Sequence, residues 1–193
     1  MADDERRLVE RLLRRDEAAF NELVRAHQAQ VYRLLLRMLA DAAEAEDVAQ
    51  EVFVSVFKSI DSFRGDSALS TWLYRIAANH AKNRIKYLAR RARATDQPLD
   101  ESNEARLAPG LTARPDGPDQ WFESKEASTH MEQAFASLEP EQRLLLNLRD
   151  LENMSYEEIR QVSGLPIGTV KSKLHRARMA LYERFMALQA GPR

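Results

Sequence analysis

Three features are missing from this sequence: cysteine, long apolar runs and the alternating pattern of β-strands. Cysteine is absent from all 193 residues, which excludes a disulfide framework, a thiolate metal site and a cysteine nucleophile. No apolar run approaches the roughly 18 residues that a membrane-spanning helix needs. The absence of cysteine favours a chain that stays in a reducing cytoplasm. The absence of long apolar runs favours a chain that inserts no segment of its own into a membrane.

The remaining composition is that of a soluble globular protein. Hydrophobic residues make up 44% of the chain and charged residues 31%. The length suits one ordinary domain or two small ones.

Acidic and basic side chains nearly balance over the whole chain, at 30 and 29, but they are segregated along it. The stretch from residue 67 to residue 95 carries seven bases and no carboxylate, and a second basic run extends from Lys171 to Arg178. Acidic segments lie at 41–51 and 96–126. Two basic runs indicate two contacts with a polyanion, although each could be a solvated helix face.

Apolar residues recur at helical spacing through both ends of the chain and predict an all-α fold. Asp16 is placed to cap the first helix, and His27 lies on that helix's apolar stripe, where a packed histidine is expected rather than a ligand. Further helices are predicted at 44–60, 67–92, 124–137, 140–151, 155–163 and 167–187.

The segment from residue 94 to residue 121 separates two helical halves. It holds four of the seven prolines and two of the six glycines, a composition that predicts an extended or disordered linker. We therefore expect two small helical domains, at 1–92 and 124–193, joined by a flexible linker at 93–123. About 30 flexible residues reach on the order of 100 Å when stretched, so the halves could occupy DNA sites several turns apart.

The sequence "MSYEEIRQVSGLPIGTVKSKLHRARMAL" predicts a helix-turn-helix. Ser155 and Glu158 form a capping box, Gly164 suits a left-handed C-terminal residue, and Pro166 precedes the second helix. One stripe of that helix is apolar: Ile167, Val170, Leu174, Ala177 and Leu181. The opposite side carries Thr169, Ser172, His175 and Arg176, flanked by Lys171, Lys173 and Arg178. This pattern is typical of a helix that reads DNA; the alternatives are an ordinary helical hairpin and, for His175, contact with solvent alone.

The predicted helix at 44–60 is apolar over more than half of its circumference. Val48, Val52 and Val56 supply an inner face, which leaves Val54 and Phe57 beside polar neighbours. Either another helix of the same domain covers these two side chains or a partner protein does.

Together, "AEDVAQEVFVSVFKSIDSFRGDSALSTWLYRIAANHAKNRIK" and the helix-turn-helix sequence resemble the extracytoplasmic-function (ECF) group of the sigma-70 family, the bacterial RNA polymerase sigma factors. The resemblance covers about residues 16–92 and 128–185. Met154, Ala78 and His80 depart from the usual family residues, which leaves the promoter preference open.

The resemblance implies a sigma region-2 domain at 1–92 and a region-4 domain at 124–193, with no catalytic residue, no metal and no cofactor. It implies that the helix from Asp47 to Ile60 contacts the β′ clamp of the polymerase core, that the second domain meets the β flap, and that an anti-sigma factor restrains the protein until a stress or envelope signal arrives. The implied core-binding residues are Asp47, Val48, Gln50, Glu51, Phe53, Val54 and Phe57.

The resemblance also implies two DNA sites. The downstream (minus-ten) element is held as a single strand, with a base flipped into a pocket, by Phe63, Arg64, Ser67, Ala68, Leu69, Ser70, Thr71, Arg75, Asn79, Lys82, Asn83, Arg84 and Lys86. The upstream (minus-35) element is bound as duplex by Ser155, Gly168, Thr169, Lys171, Ser172, Lys173, His175, Arg176 and Arg178. Aromatic and basic side chains without carboxylates suit such a single-strand groove, although Trp72 and Tyr74 lie at core spacing and at least one is expected to pack inside.

Two other classes of function remain open at this point. An autonomous regulator would bind duplex DNA alone, but it does not need the broadly apolar helix around Phe53. An enzyme acting on nucleic acid would need a catalytic centre, for which the only candidate is a divalent-metal site at Asp41, Glu44, Glu46, Asp47 and Glu51.

Overall fold

A computed structural model describes residues 3–94 and 118–190, and the side chains of these residues except 94 and 118–125. All regular secondary structure in these ranges is helical. The helices are α1 (Asp3–Leu13), α2 (Glu17–Leu39), α3 (Ala42–Ser59), α4 (Leu69–Ala94), α5 (Pro118–Ala136), α6 (Pro140–Leu146), α7 (Tyr156–Ser163) and α8 (Ile167–Gln189). A 3₁₀ turn at Ile60–Ser62 follows α3, and a π-helical turn at Asn147–Leu151 follows α6.

The first half of the protein is built from α1 to α4. Asp16 caps α2 as predicted, since its carboxylate accepts hydrogen bonds from the backbone N–H groups of Ala18 at 2.8 Å and Ala19 at 3.2 Å. His27 is half-buried, with Nδ1 3.2 Å from Gln30 Oε1. Helix α1 was not predicted from the sequence, although Val9 and Leu12 are buried at helical spacing.

Helix α3 packs against both α2 and α4. Val48, Val52 and Val56 are fully buried, and from α4 so are Ala77 and Ala81. The inner face expected for α3 is therefore confirmed, and the opposite side of α3 is left toward solvent.

The second half consists of α5 to α8 around a core that includes Leu144, Leu145 and Ile159. A single helix was predicted at 140–151; instead α6 ends at Leu146 and widens into the π-helical turn. The capping box of Ser155 and Glu158 forms as predicted, and Gly164 ends α7 with φ at 76° in the left-handed region. The inner stripe of α8 is also confirmed, with Val170, Leu174 and Ala177 buried.

Helix α4 ends at Ala94 and α5 begins at Pro118, so helix extends into both edges of the range predicted as linker. The rest of that predicted linker, residues 95–117, lies outside the described residues. Within the described ranges, none of the helices combines the length and apolar character that crossing a membrane requires.

Replacing Gly164 with alanine should lower the free energy of unfolding by about 1 kcal/mol, because an L-residue in the left-handed region costs roughly that amount. No heavy atom lies within 4 Å of a Cβ built at this position, so backbone strain and not a clash causes the loss. Urea denaturation followed by far-ultraviolet circular dichroism measures the change. Gly168→Ala is the matched control, since its Cβ also meets open space without a positive φ. Equal stability of the two variants would contradict the expectation.

Candidate nucleic-acid and partner interfaces

A cleft of about 110 Å³ lies at the beginning of α4. The loop at 63–71 and the first turns of α4 supply most of its wall, and α7 of the second half supplies the rest. Its lining residues are Asp66, Ser67, Thr71, Trp72, Arg75 and Gln161. Three of the residues implied to hold the downstream element, Ser67, Thr71 and Arg75, therefore share one concave surface with a residue of the helix-turn-helix.

Thr71 contributes to the wall of this cleft, and its hydroxyl is buried without a hydrogen-bond partner in the described part of the chain. Thr71 is 1% exposed, and no hydrogen-bond partner for its Oγ1 exists among the described residues. A buried polar atom without a partner costs free energy, of the order of 1–3 kcal/mol, so it needs an explanation.

The outward side of α4 carries a row of polar residues that continues from the cleft. Arg75, Asn79, Lys82 and Lys86 recur at spacings of four and three, so they share one side of the helix. Arg75, Asn79 and Lys86 are exposed and Lys82 is half-exposed. We call these four residues the α4 polar stripe. Two further implied residues are also exposed: Asn83, which follows Lys82 on α4, and Arg64, which lies in the loop before α4.

Arg84 does not belong to that stripe, contrary to its assignment from the sequence. It points toward α3, where its Nη1 lies 2.6 Å from Glu44 and its Nη2 2.7 Å from Glu51. Burial lowers the pKa of Arg84, but the two carboxylates outweigh this effect and raise it. The guanidinium is thus neutralised within the fold and is not free for a phosphate.

Three further residues assigned to the strand site from the sequence are inside the protein. Phe63, Leu69 and Thr71 are at most 7% exposed, and the Phe63 ring packs on Trp72 with 5.4 Å between centroids. Phe63 and Leu69 therefore shape the loop from within, and only Thr71 among the three reaches the cleft. Ser67, Ala68 and Ser70 are half-exposed.

Both aromatic residues whose role was open are buried. Trp72 is 4% exposed and Tyr74 is 6% exposed. His80, beside Asn79, faces α3, where Nε2 lies 2.9 Å from Ser55 Oγ. Ala78 is fully buried. The two unusual residues around Asn79 thus point into the fold.

Helix α8 presents the side predicted to read DNA. Ser172, His175 and Arg176 are exposed and Thr169 is half-exposed; these four residues are the recognition face. Lys171 and Gly168 are also exposed, and the Lys171 ammonium lies 5.4 Å from the ring centroid of Tyr156. Ser155 is exposed, but its hydroxyl is committed to the capping box.

Two of the flanking bases of α8 are already paired with carboxylates. Lys173 binds Glu141, and Arg178 binds both oxygens of Asp150, with Nε 3.1 Å from Oδ2. The hydrogen bond to Asp150 raises the pKa of Arg178. These two bases need to exchange partners before they can hold phosphates, whereas Lys171 and Arg176 do not contact a carboxylate in any described ion pair.

The solvent side of α3 carries most of the residues implied to bind the polymerase core. Asp47, Gln50, Glu51, Val54 and Phe57 are exposed, with Val54 at 52% and Phe57 at 45%; they form the α3 outer face. Phe53 is half-buried. Val48 is fully buried and is a core residue, so its assignment as a contact is corrected.

Other helices of the same half cover Phe57 only in part. Its ring meets Phe20 edge-on with 4.7 Å between centroids, and the Arg15 guanidinium lies 5.2 Å from its centroid. Arg15 is held there by the Phe57 carbonyl and by Asp61. Val54 and the remaining side of Phe57 are apolar surface that the described residues leave open.

The acidic cluster of α3 is not a metal centre in this structure. Glu44 and Glu51 bind Arg84, and the Asp41 carboxylate caps α3 by accepting from the Glu44 N–H at 2.9 Å. No group of three or more histidine, aspartate or glutamate residues in the described ranges is arranged to hold a metal ion.

Three residues form a polar contact between the two halves, and this contact was not identified from the sequence. The Tyr74 hydroxyl donates to Glu152 Oε2 at 2.6 Å, and Arg37 Nη1 lies 3.8 Å from Glu152 Oε1. Burial and the hydrogen bond to Glu152 raise the pKa of Tyr74, so the phenol remains a donor. We call Arg37, Tyr74 and Glu152 the interdomain triad. No spacing signal could reveal it, because its members are far apart in the chain.

Comparison with known proteins identifies both halves. The family model described as sigma-70 region 2 matches residues 23–92, and that of sigma-70 region 4 matches residues 130–181. The RNA polymerase sigma-H factor of Pseudomonas aeruginosa is 39% identical over 181 residues, which cover 93% of this chain and 92% of that protein. The ECF RNA polymerase sigma-E factor of Escherichia coli K12 is 37% identical over 94% of each chain. The chain belongs to the ECF sigma factors.

This family consists of transcription regulators and not enzymes, which removes the interpretation of the chain as an enzyme. Solved structures share the two-domain helical fold of this sigma factor. RpoE in complex with the anti-sigma factor NepR, from Bartonella quintana, has a TM-score of 0.67 at 23% identity and covers 90% of this chain and 98% of its own. CnrH in complex with the cytosolic domain of CnrY has a TM-score of 0.66 at 21% identity, with 98% and 100% covered.

Proposed function

We propose that this sigma factor binds RNA polymerase core through the α3 outer face and places two promoter elements on its two halves. The melted downstream element lies in the cleft and along the α4 polar stripe, and the duplex upstream element lies against the recognition face of α8. One observation carries the proposal: a row of three cations and one amide on the exposed side of α4 leads into a cleft lined by Ser67, Thr71 and Arg75.

The direct test is reconstitution. Purified protein is added to bacterial core polymerase with a library of promoter fragments, and the transcript starts are sequenced. A defined set of starts that depends on the added protein supports the proposal. Starts that are identical with and without the protein overturn it.

The α3 outer face combines the properties of a partner surface. Val54 and Phe57 are exposed apolar groups, and the carboxylate of Asp47 and the amide of Gln50 lie beside them. Apolar side chains ringed by polar ones are typical of protein–protein interfaces. The clamp of the polymerase β′ subunit is our proposed partner for this face, and the β flap for the second half.

Val54→Asp with Gln50→Arg should weaken core binding at least tenfold, because both substitutions place charge at the centre of the proposed contact. Fluorescence anisotropy of labelled protein titrated with core polymerase measures the affinity. Ala29→Asp, at an exposed position of α2, is the control and should bind as the parent does. A folded double variant with parental core affinity would contradict the assignment.

The downstream site divides into selective and nonselective parts. Cations of the α4 polar stripe attract any phosphate backbone, whereas Ser67 in the cleft and Asn79 on the stripe offer a hydroxyl and an amide to a base edge. Asn79 lies at the next turn of the stripe after Arg75.

Asn79→Ala should change the base preferred at one downstream position, whereas Lys82→Ala with Lys86→Ala should reduce opening at all promoters. Permanganate footprinting of open complexes on a library randomised over the downstream element separates the two effects. Artificially melted promoters should recover part of the loss in the lysine variant, because the unpairing cost is removed. Arg84→Ala is the contrasting variant: it should reduce thermal stability, since Arg84 holds α4 on α3. Unchanged base preference in Asn79→Ala would assign selectivity elsewhere.

The proposal of an upstream site is supported by the exposure of the recognition face of α8. Arg176 is a long side chain with paired donors that suit the O6 and N7 edge of guanine. Lys171 is exposed at the side of α8, where it can contact a phosphate of the DNA backbone.

Arg176→Ala should cost about 1–3 kcal/mol at preferred promoters and relax preference at one upstream position. Lys171→Ala should weaken all sequences alike and reduce the salt dependence of binding. Holoenzyme binding to promoter variants, titrated with salt, distinguishes them. Parental behaviour of both variants at physiological salt would mean that another face of α8 meets DNA.

We also extend to this protein the kind of partner found with its solved relatives, namely an anti-sigma factor that occupies the protein in the absence of a signal. A protein of the same fold, RpoE of Bartonella quintana, was solved in complex with the anti-sigma factor NepR.

A further inference from the structure

Helix α1 supplies a hydrogen-bond acceptor to the first residue of α4. Glu5 lies in the first turn of α1, and its Oε1 accepts from the backbone N–H of Leu69 at 2.6 Å. The first four N–H groups of a helix have no partners within it. A serine just before a helix often serves them, but the Ser67 hydroxyl donates to the carbonyl of Ala68 at 3.2 Å. The beginning of α4 is therefore held by a residue 64 positions earlier in the chain.

The same N-terminal segment also holds the other end of the loop at 63–71. Arg15, which follows α1, donates to the carboxylate of Asp61 in the 3₁₀ turn that precedes the loop. Val9 and Leu12 bury the inner face of α1 in the core, so the contacts at both ends start from an anchored helix. The loop is thus tied to the α1 segment on each side.

Between these two ties lie the loop residues that the proposed function assigns to the downstream strand. Ser67, Ala68 and Ser70 are half-exposed, and Ser67 lines the cleft. Side chains select one base over another only when the backbone holds them in a defined geometry. All three flank Leu69, so the hydrogen bond from its amide fixes the backbone at the centre of this group.

We propose that Glu5 is a positioning residue for recognition of the downstream element. By holding the Leu69 amide, it fixes the loop in the conformation in which the half-exposed side chains meet a base. Glu5 acts through the backbone and does not itself contact DNA. The inference rests on the proposed function, because that function places a melted strand against this loop. It adds α1, which lies outside residues 23–92 matched by the region 2 model, to the parts of the protein that determine promoter preference.

The length and the charge of the Glu5 side chain can be separated by substitution. Glu5→Gln keeps the length and a carbonyl acceptor but removes the charge, which the positive end of the helix dipole favours. Glu5→Asp keeps the charge but is shorter by one C–C bond, about 1.5 Å, so a contact of 2.6 Å would stretch beyond hydrogen-bonding distance. Because we assign the positioning to the hydrogen bond, Glu5→Gln should resemble the parent and Glu5→Asp should resemble Glu5→Ala.

The test uses the full chain, alone and with core polymerase. Hydrogen exchange of the Leu69 amide, followed by NMR, reports on the hydrogen bond in the free protein. Base preference is measured with holoenzyme on a promoter obtained by the reconstitution and randomised over the downstream element, by sequencing the fragments that form open complexes. Circular dichroism verifies that each variant keeps its helices.

In Glu5→Ala and Glu5→Asp the Leu69 amide should exchange about tenfold faster, because a hydrogen bond to a charged acceptor is lost. The preference for one base over the next at a downstream position should fall about tenfold, which corresponds to the loss of one base contact. The upstream preference should not change. Glu10→Ala, at another exposed glutamate of α1, is the matched control and should behave as the parent.

Three results would overturn the inference. Parental exchange of the Leu69 amide in Glu5→Ala would mean that the contact does not hold α4. Faster exchange with parental base preference would leave Glu5 a role in stability alone. Loss of preference in Glu5→Gln with retention in Glu5→Asp would assign the effect to charge. If Glu5→Ala loses its helices, the glutamine and aspartate variants decide the question by themselves.

Failure of the proposed function gives a different result. A parent protein that initiates transcription without any base preference in the downstream element overturns the assignment of the loop to DNA, and this inference with it. The exchange of the Leu69 amide does not involve DNA, so it still reports whether Glu5 holds α4. A parent with a clear preference that the Glu5 variants retain overturns only the positioning role.

Discussion

The orientation of α4 about its own axis determines which of its side chains are buried and which are exposed. The surfaces of this protein depend on that orientation. Ala77 and Ala81 are fully buried, and their small side chains let α3 approach closely. Arg84, on the same side, binds Glu44 and Glu51 of α3 and resists any turn of the helix. With that side fixed, helical geometry sends Arg75, Asn79, Lys82 and Lys86 outward, and Tyr74 toward the second half. A substitution that rotates α4 would therefore disturb the strand site and the interdomain contact together.

The same packing decides how the acidic residues of α3 behave. Glu44 and Glu51 lie near a basic helix that we assign to a polyanion, and unpaired carboxylates there would repel phosphates. Arg84 binds both carboxylates from within the fold and offsets one of their two negative charges, and the cations of the α4 polar stripe do not take part in these ion pairs. On its far side α3 is left with Asp47, Gln50, Val54 and Phe57. The packing of α3 thus directs two of its carboxylates toward α4 and leaves its apolar and polar outer residues exposed on the other side.

Sequence reasoning succeeded where a signal is local and failed where two distant segments meet. The cap at Asp16, the capping box of Ser155 and the left-handed Gly164 are encoded within a few residues, and each was predicted. The sequence assigned Arg84 to DNA and did not reveal its contacts with Glu44 and Glu51, because charge does not indicate which neighbour a side chain faces. Val48 was counted among the partner contacts for a similar reason. The interdomain triad carries no sequence pattern, since only tertiary packing brings Glu152 to Tyr74.

The boundary between the halves combines a polar centre with apolar surroundings. Buried apolar residues of both halves form one continuous cluster. The boundary is therefore stabilised by burial of apolar surface and by the hydrogen bond and charges of the triad together. A substitution at Tyr74 removes only the hydrogen-bonded part of that contact and leaves the apolar part in place.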